Sequence, residues 1–319
     1  MKPYLFSICI PTWNRSECLN RLLKNIETQI KSDSDFQIVI SDNNSTDNTY
    51  QVVANFFDSL NIKYIRKDRN IGGIKNISSI VSYADGTYCI LIGDDDIFRE
   101  GWLTLLKTLV RQYRPDVVIS NRFVCDSHLN IKFSEQCGPA VQAPTLYDCS
   151  EQEVLIDYLS QTESTSGFGF ISNQVIRRKC WADSIDTDFV NSHPFPHLLK
   201  IIDILAMHRG SILKVPFETV FACSGSDRLE EELGADKAMT EFDKLNVHFY
   251  GFLSAANYLF AASPKLRSAL LTPIKRIFSN DYRAYYISLA ASANNEAIGR
   301  DFIYRLDRAI DPDFSTLNF

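Results

Sequence analysis

The chain has 319 residues, of which 45% are hydrophobic and 23% charged, so it can bury a large core and lacks the composition of a disordered protein. Its formal net charge of −6 at pH 7 argues against a broad nucleic-acid-binding surface, although a local basic cleft could still bind a phosphorylated small molecule. Its eight cysteines include no Cys-x-x-Cys pair, which favours reduced, partly buried thiols over a disulfide framework or a zinc site.

Short apolar runs alternate with segments of helical periodicity in the N-terminal part of the chain. The runs are rich in β-branched or aromatic residues and predict strands over Phe6–Pro11, Phe36–Asp42, Ile62–Lys67, Tyr88–Gly93 and Val117–Asn121. Apolar residues at helical spacing predict helices over Glu17–Gln29, Asp47–Leu60, Ile74–Tyr83 and Trp102–Gln112. This alternation predicts an α/β fold with a mostly parallel, Rossmann-like sheet flanked by helices.

The pattern weakens after residue 121. Helices are predicted over Glu151–Gln161 and from about His197 to about His208, and strands over Gly167–Arg177 and Ser211–Val215. From Asp236 to the end, nearly every segment has helical spacing. We therefore expect a main domain over residues 1–235, in two parts that meet after residue 121, and a helical C-terminal region over residues 236–319.

The C-terminal region has three alternative roles. Its helices could pack on the main domain, form a homo-oligomer or lie on a membrane, because basic residues there alternate with aromatic ones. No apolar stretch approaches the length of about 18 residues that marks a membrane span, and no signal-type segment follows Met1. We therefore expect a cytoplasmic protein. The acidic run Asp227–Asp236 is interpreted as a solvated loop or helix face, with a mobile flap as the alternative.

Three consecutive aspartates, Asp94, Asp95 and Asp96, follow directly on the fourth predicted strand. In open α/β sheets, ligands bind beyond the carboxyl ends of the strands, which is where this triplet falls. Adjacent carboxylates repel one another and lose solvation, so the arrangement is costly unless a hard cation neutralises it. An exposed acidic turn before the next helix is the alternative.

Polar residues also stand at neighbouring strand ends of the same predicted sheet. Asp42 ends the second strand and could accept hydrogen bonds from a base or a ribose. Lys75 opens the third helix and could meet a phosphate. Taken singly, Asp42 is typical of a turn and Lys75 of a solvated surface. Together with the triplet they predict a nucleotide pocket.

Four ordered motifs make the N-terminal half resemble the family 2 glycosyltransferases of the GT-A fold. The motifs are Ser7–Arg15, Asp42–Asp47, Asn70–Asn76 and Gly86–Tyr88 leading to Asp94–Asp96. Within the family, Ser41–Asn43 and Gly93–Asp96 are most similar to the abequosyltransferase-type branch, which serves bacterial O-antigen or capsule assembly. The resemblance implies an inverting transfer of a sugar from a nucleoside-diphosphate sugar to a hydroxyl of a glycan or lipid-linked glycan acceptor, on or near the inner face of the cytoplasmic membrane.

The resemblance also implies which residues bind the nucleotide. It makes residues 1–121 the nucleotide-sugar-binding half and residues 122–235 the acceptor-side half of a catalytic domain. Asp42 would bind the base or ribose, and Lys75 would face the donor. The other nucleotide-binding positions lie in the loops after the first two strands: Pro11, Thr12, Asn14 and Asn44.

The acidic triplet would hold Mg²⁺ or Mn²⁺ on the donor diphosphate, again by resemblance. Asp94 and Asp96 keep an Asp-x-Asp spacing, in which alternating side chains could face one side, and Asp96 is favoured as the direct ligand. Asp95 is assigned to catalysis. Many family members carry Asp-x-Asp-Asp where this chain has Gly93, which leaves the identity of the direct ligand open.

A general base is sought in the second half. Family members usually carry a Glu-Asp pair ahead of a helix, and the segment Phe195–Lys200 places His197 where that aspartate would stand. A neutral histidine can take a proton from an acceptor hydroxyl near pH 7. A structural histidine at a helix start is the alternative, and Asp188 and His193 are the nearest substitutes.

Two other functions compete with glycosyl transfer. A nucleotidyltransferase on a related α/β scaffold could also place aspartates on Mg²⁺, but it normally has a basic, glycine-rich loop after its first strand, and Pro11–Arg15 is not such a loop. A non-catalytic sugar-nucleotide or glycan-binding protein is the other alternative.

Overall fold

A computed structural model of the chain describes residues 4–31, 33–223 and 237–277, together with a few positions between 287 and 304. The strands are β1 Phe6–Thr12, β2 Phe36–Asp42, β3 Ile62–Arg66, β4 Tyr88–Leu91, β5 Ile97–Phe98, β6 Val117–Cys125, β7 Ile131–Glu135, β8 Thr145–Asp148, β9 Gln174–Arg177 and β10 Ser211–Cys223. The predicted acidic run Asp227–Asp236 lies outside the described residues.

Helices connect and cover the strands. Those of the first 223 residues are α1 Ser16–Ile30, α2 Thr49–Ala54, α3 Gly73–Ile80, α4 Trp102–Tyr113, α5 Gln152–Gln161, α6 Ser166–Gly169, α7 Arg178–Asp183, α8 Asp188–Ser192 and α9 Pro196–Ala206. The described C-terminal helices are α10 Lys237–Phe260, α11 Pro264–Leu270 and α12 Thr272–Ile277.

The described strands form one 10-stranded sheet in the order β3-β2-β1-β4-β9-β6-β10-β5, with β7 beside β6 and β8 beside β10. The first four pair in parallel, as the sequence predicts for the N-terminal half. The second half is mixed, since β9 runs antiparallel to both β4 and β6 whereas β6 and β10 are parallel. The carboxyl ends of β1, β2 and β4 therefore meet at one edge of the sheet.

Alternating apolar residues bury both faces of this sheet. On β1, Ile8 and Ile10 pack into the cluster that includes α1 and α4, whereas Cys9 packs into the cluster on the other face. That second cluster also contains Leu198 of α9 and Phe252 of α10. All eight cysteines are free, which confirms the reduced thiols expected from the sequence.

The strand predicted over Gly167–Arg177 is wrong in its first part. Ser166–Gly169 is a helical turn, Ile171–Asn173 is a 3-10 turn, and only Gln174–Arg177 joins the sheet. Polar side chains cause the difference: Asn173 Nδ2 donates to the backbone carbonyls of Ser120 and Ser166, which favours turns over an extended chain.

The described part of the C-terminal region shares the core of the main domain. Phe249, Phe252 and Phe260 of α10 are each no more than 1% exposed and belong to the same cluster as α9. Two of the basic residues that favoured a membrane surface pair instead with α5 and the residues just after it, because Lys265 lies 3.5 Å from Glu153 of α5 and Arg276 lies 3.0 Å from Glu163. Within the described residues, no helix combines the length and the apolar character that a membrane span requires.

Candidate active site

A cavity of about 540 Å³ opens at the carboxyl edge of the parallel strands. We call it the donor cavity, because the sequence leads us to expect a nucleotide sugar at this edge of the sheet. It lies among the ends of β1 and β4, the start of α3 and the turn before β9. Its lining residues are Pro11, Thr12, Trp13, Arg15, Asn43, Asn70, Gly72, Gly73, Asn76, Ile77, Gly93, Asp94, Asp95, Asp96, Phe170, Ile171 and Cys223.

Strand register brings the end of β1 to the acidic triplet. Cys9 pairs with Leu91, so three residues further along Thr12 stands beside Asp94. Thr12 Oγ1 donates to Asp94 Oδ2 at 2.7 Å. Arg15 Nη1 lies 3.0 Å from Asp94 Oδ1 and 3.0 Å from Asp95 Oδ2. One guanidinium thus bridges two of the three carboxylates.

Arg15 is the main site residue that the sequence analysis did not single out. It stands within the first motif, four residues after Pro11, and a cation that close to a strand-end loop is the expected counterion for three adjacent aspartates. Burial opposes its charge, but Asp94 and Asp95 raise the pKa of Arg15 above its ordinary value. It is therefore a fixed positive charge in the cavity.

Asp96 faces the other side of the cavity. Its Oδ1 accepts a hydrogen bond from the amide of Cys223 at 2.8 Å, and its Oδ2 accepts one from Ser172 Oγ. Ser172 Oγ in turn accepts from the Gly93 amide at 2.8 Å. These contacts tie the triplet to β10 and to the turn before β9.

Burial makes the two outer carboxylates reluctant to ionise. It raises the pKa of Asp94 to about 6, with Arg15 acting in the opposite direction. It raises the pKa of Asp96 to about 8, and repulsion from Asp95 adds to the effect. A cation beside them would favour their ionised forms.

The space above Gly93 fits a hard cation. A Cβ atom at Gly93 would lie 3.1 Å from Asp95 Oδ1 and 3.2 Å from Asp96 Oδ2, so the absent side chain keeps both oxygens accessible to one space. Among the described residues, no three His, Cys, Asp or Glu side chains converge as a complete metal site. One or two carboxylates completed by substrate phosphates is a usual arrangement for Mg²⁺.

Three of the predicted nucleotide-binding residues do not line the cavity but stabilise the loops next to it: Asp42, Asn14 and Asn44. Asp42 is 1% exposed, and its oxygens accept hydrogen bonds from the Ser45 amide and from Tyr64 Oη. Asn14 Oδ1 accepts from the Thr46 amide at 2.7 Å, and Asn44 Oδ1 accepts from Arg66 at 3.3 Å. These residues hold the loops after β1 and β2 together.

Asn43, one residue after Asp42, lines the cavity. Its Nδ2 donates to Asn70 Oδ1 at 2.8 Å and its Oδ1 accepts from the Ile71 amide at 2.9 Å. It therefore joins the loop after β2 to the loop before α3. Pro11, Thr12 and the triplet line the same cavity, so the structure brings together one part of the predicted site.

Lys75 does not lie at the donor cavity, contrary to the sequence interpretation. Gly73, Asn76 and Ile77 of α3 line that cavity, whereas Lys75 lines a separate cavity on another face of the helix. The helical rotation of about 100° per residue separates neighbouring positions in this way.

His197 is also absent from the donor cavity. It is 3% exposed, because Phe195 and α10 cover the start of α9, with Phe195 lying 6.0 Å from the ring of Phe252. Burial lowers the pKa of His197 to about 4, although the backbone of Gly169 acts in the opposite direction. Neither ring nitrogen has a hydrogen-bond partner among the described residues. This position argues against the predicted role as general base.

The substitutes for His197 are no better placed. His193 Nε2 lies 2.9 Å from Ser254 Oγ of α10, and Asp188 is an exposed residue of α8. Neither lines the donor cavity. On the acceptor-side segment, Phe170 does line it, and the Arg122 guanidinium lies 4.0 Å over its ring.

Comparisons with known proteins agree with this geometry. The sequence model described as Glycosyl transferase family 2 matches residues 7–170, just over half of the chain. Abequosyltransferase RfbV of Salmonella typhimurium is 28% identical over 270 residues, which cover 83% of this chain and 78% of that protein. The predicted resemblance is thereby confirmed.

Two solved structures share the fold. Staphylococcus aureus TarS 1-349 in complex with UDP-GlcNAc has a TM-score of 0.66 at 16% identity, covering 96% of this chain and 81% of that one. The mannosyltransferase PcManGT from Pyrobaculum calidifontis, in complex with GDP-Man and Mn²⁺, has a TM-score of 0.52 at 13% identity, covering 98% of this chain and 90% of that one. These likenesses confirm the predicted GT-A fold.

Proposed function

The chain belongs to glycosyl transferase family 2 and is a glycosyltransferase, and we propose that it moves a sugar from a nucleoside-diphosphate sugar to a hydroxyl of a bacterial surface glycan. The observation that carries the proposal is the position of Asp94, Asp95, Asp96 and Arg15 in one cavity at the strand ends. RfbV is named an abequosyltransferase, and the TarS structure holds UDP-GlcNAc, which supports a nucleotide-sugar donor and a glycan acceptor of the O-antigen or capsule type.

The residues around the triplet prepare it for the donor diphosphate. Arg15 and Thr12 hold Asp94, while Ser172 and the Cys223 amide hold Asp96, so the side chains are fixed before the donor arrives. Asp95 and Asp96 would hold Mg²⁺ or Mn²⁺, which when bound stabilises the negative charge developing on the departing diphosphate. The Mn²⁺ in the PcManGT structure supports this assignment.

The cavity also provides surfaces for a base and a sugar. Trp13 is 50% exposed at the cavity, and Phe170 forms part of its wall. Aromatic faces of this kind stack on planar bases and on the apolar faces of sugars. The acceptor would attack from the side opposite the diphosphate, with inversion at the anomeric carbon. We assign His197 no part in proton transfer, because its side chain is buried away from the cavity.

Within this proposal, residues 1–235 form the catalytic domain and residues 236–319 a helical extension, whose described helices pack into the core of that domain. Within the described residues, α10 exposes Val247 and Tyr258, and this face would be available for a dimer or for contact with the inner face of the membrane. Sizing chromatography and flotation with anionic vesicles test these two contacts.

A donor screen tests the proposed function. The full chain is incubated with UDP-, GDP-, CDP- and dTDP-sugars, and hydrolysis is followed by mass spectrometry with Mn²⁺ or with EDTA. We expect hydrolysis of at least one donor, loss of hydrolysis in EDTA, and a loss of about a hundredfold or more in Asp96→Asn, because Asp96 would hold the cation that stabilises the departing diphosphate. The exposed Asp58→Asn is the matched control. Turnover that persists unchanged in EDTA would overturn the metal role, and no turnover of any donor would overturn the donor class.

A further inference from the structure

A second cavity of about 520 Å³ lies on the other side of α3 from the donor cavity. It is bounded by α3, α7, α8 and α9, and we call it the basic cavity. Its volume is in the usual range for small-molecule sites. Because Lys75 and Ser78 line the basic cavity while Asn76 and Ile77 line the donor cavity, α3 forms a wall of both.

The basic cavity differs from the rest of the protein in charge. Lys75, Arg178 and Lys200 line it, and Asp186 is its only carboxylate among the lining residues that the structure describes. The whole chain carries a formal net charge of −6, so a concave surface with a local excess of cations stands out. A cavity of this kind focuses positive potential and attracts anions.

The protein neutralises these cations only in part. Lys75 is exposed and has no ion pair among the described residues. Arg178 Nε donates to the Gly86 carbonyl at 2.8 Å, a neutral partner, and the charge of Arg178 interacts with Asp85 without forming a close ion pair. Lys200 Nζ donates to the Ile185 carbonyl at 2.8 Å and is 3.7 Å from Asp186 Oδ1.

Lys200 is the most informative of the three cations. It is 4% exposed, and its ammonium lies 5.4 Å over the ring of Trp181, which also lines the cavity. Asp186 and the nearby Asp203 compensate its charge in part, and Asp186 also accepts a hydrogen bond from Asn191 Nδ2 at 2.8 Å. Burial still lowers the pKa of Lys200 below its ordinary value. A lysine buried against an aromatic wall is costly unless an anion contributes to its solvation.

Hydroxyl groups complete the lining. Ser78, Ser79 and Ser82 all lie on the α3 side of the cavity. Ser78 Oγ is shielded from solvent and has no hydrogen-bond partner among the described residues. Ser79 Oγ donates to the Asn76 carbonyl at 3.2 Å and Ser82 Oγ to the Ser79 carbonyl at 2.6 Å, so the serines form a polar wall and the cations supply the free hydrogen-bond donors. Several cations that converge on one cavity suit a doubly charged phosphate better than a single carboxylate.

We propose that the basic cavity is a second ligand site, which binds a phosphate ester separately from the donor diphosphate. Lys75, Arg178 and Lys200 supply the charge and the hydrogen-bond donors, and Trp181 packs against the carbon skeleton of the ester. A phosphate group within the acceptor glycan and a free phosphorylated metabolite offer the same chemistry. The possibility that the phosphate belongs to the acceptor glycan rests on the proposed glycosyl transfer. The binding of a phosphate ester to this cavity does not.

Fluorine NMR tests the site directly. The chain has three tryptophans, of which Trp13 lies at the donor cavity and Trp181 at the basic cavity, so 5-fluorotryptophan labelling reports on the two sites separately. The full chain is titrated with glycerol 3-phosphate and with inorganic phosphate. We expect the Trp181 resonance to shift saturably while the Trp13 resonance stays in place.

Variants separate recognition of the phosphate from a general effect of salt. Lys75→Gln should weaken the affinity about fivefold or more, as expected for loss of one charge-assisted contact. The exposed Lys24→Gln on α1 makes the same change in net charge and should leave the affinity unaltered. Lys200→Met should weaken it further, with the unperturbed Trp13 resonance reporting that the fold is intact. No shift of Trp181, a shift of Trp13 instead, or equal affinities in Lys75→Gln and Lys24→Gln would each overturn the proposal.

Kinetics identify the source of the phosphate. If the acceptor carries it, Lys75→Gln raises the KM for a phosphate-bearing acceptor and leaves donor hydrolysis unchanged. If a free metabolite carries it, the KM for the acceptor stays constant and only the NMR titration responds. Donor hydrolysis without a shift of the Trp181 resonance would support the glycosyltransferase function and reject the second site. A shift of the Trp181 resonance without donor hydrolysis would support the second site and reject the proposed donor class.

Discussion

The pH dependence of stability gives a quantitative test of the acidic triplet. Asp96 is 2% exposed, and burial followed by repulsion from Asp95 raises its pKa from 3.8 to about 8. Between these two values the native state binds a proton that the unfolded state releases. Stability contributed by protonated Asp96 is therefore fully present below about pH 4 and is lost as pH rises towards 8.

The size of this loss follows from the shift. For one group that is protonated in the native state and ionised in the unfolded state, each pH unit lowers the free energy of unfolding by about 1.4 kcal/mol. Asp96 alone should therefore lower the free energy of unfolding by about 3 kcal/mol between pH 5 and pH 7. Asp94, with its pKa near 6, adds a smaller loss over the lower part of the window. The Asp96→Asn variant removes the larger contribution and keeps a side chain of the same shape.

Urea denaturation in EDTA at pH 5, 6, 7 and 8 measures the effect. Wild type should lose about 3 kcal/mol more than Asp96→Asn between pH 5 and pH 7. The exposed Asp58→Asn should follow wild type. Added Mn²⁺ should flatten the profiles of wild type and Asp58→Asn but not that of Asp96→Asn, because the cation favours ionised carboxylates. Equal slopes in wild type and Asp96→Asn would refute the assignment of a raised pKa to Asp96.

Three further predictions concern the counterion, the glycine and the C-terminal helix. Arg15→Gln should destabilise the protein at pH 8 by about 3 kcal/mol in urea denaturation, because it leaves the buried Asp94 carboxylate without its ion-pair partner. Arg111 forms a surface pair with Asp35 at 2.8 Å, and Arg111→Gln should cost less than about 1 kcal/mol. Gly93→Ala should weaken the Mn²⁺ affinity measured by calorimetry about tenfold or more, because its methyl group would enter the space between two carboxylate oxygens; unchanged affinity would place the cation elsewhere. Phe252→Ala should lower stability by about 3–5 kcal/mol, and the exposed Val247→Ala on the same helix by less than about 1 kcal/mol; similar losses in both would mean that α10 does not pack as described.

The strand ends could be predicted from the sequence because local signals determine them. β2 spans Phe36–Asp42 as predicted, since a run of apolar residues there ends at a polar turn. Parallel pairing then brings consecutive strand ends to one edge, so the meeting of Pro11, Thr12 and the triplet follows from topology alone. This part of the site needed no knowledge of side-chain packing.

The positions of Lys75 and His197 depend on packing that the sequence does not reveal. Helical spacing shows that α3 is amphipathic, but two of its sides border cavities. The sequence of α3 does not show which of these sides borders the donor cavity. His197 is buried because α10, more than 40 residues further along the chain, covers the start of α9. Likewise, the contact between Asp42 and Tyr64 depends on the pairing of β2 with β3.

The acidic triplet lies beyond the end of β4, so the alternation of side chains along a strand does not apply to its Asp-x-Asp spacing. Alternating side chains share a face only in an extended strand, and β4 stops at Leu91. The Asp96 amide instead donates to the Gly93 carbonyl at 3.3 Å, which closes a turn. The turn aims Asp94 at Thr12 and Asp96 at Ser172.

Asp95 lies between these two carboxylates in space as well as in sequence. It pairs with Arg15 through Oδ2, and its Oδ1 shares the space above Gly93 with Asp96 Oδ2. The aspartate missing at position 93 thereby has a physical consequence. A side chain at position 93 would enter that space, so glycine leaves the space open for a cation. Arg15 compensates the charges of Asp94 and Asp95, the two carboxylates that do not contact Ser172. On this geometry Asp95 and Asp96, and not Asp94 and Asp96, are the pair that we propose to contact the cation.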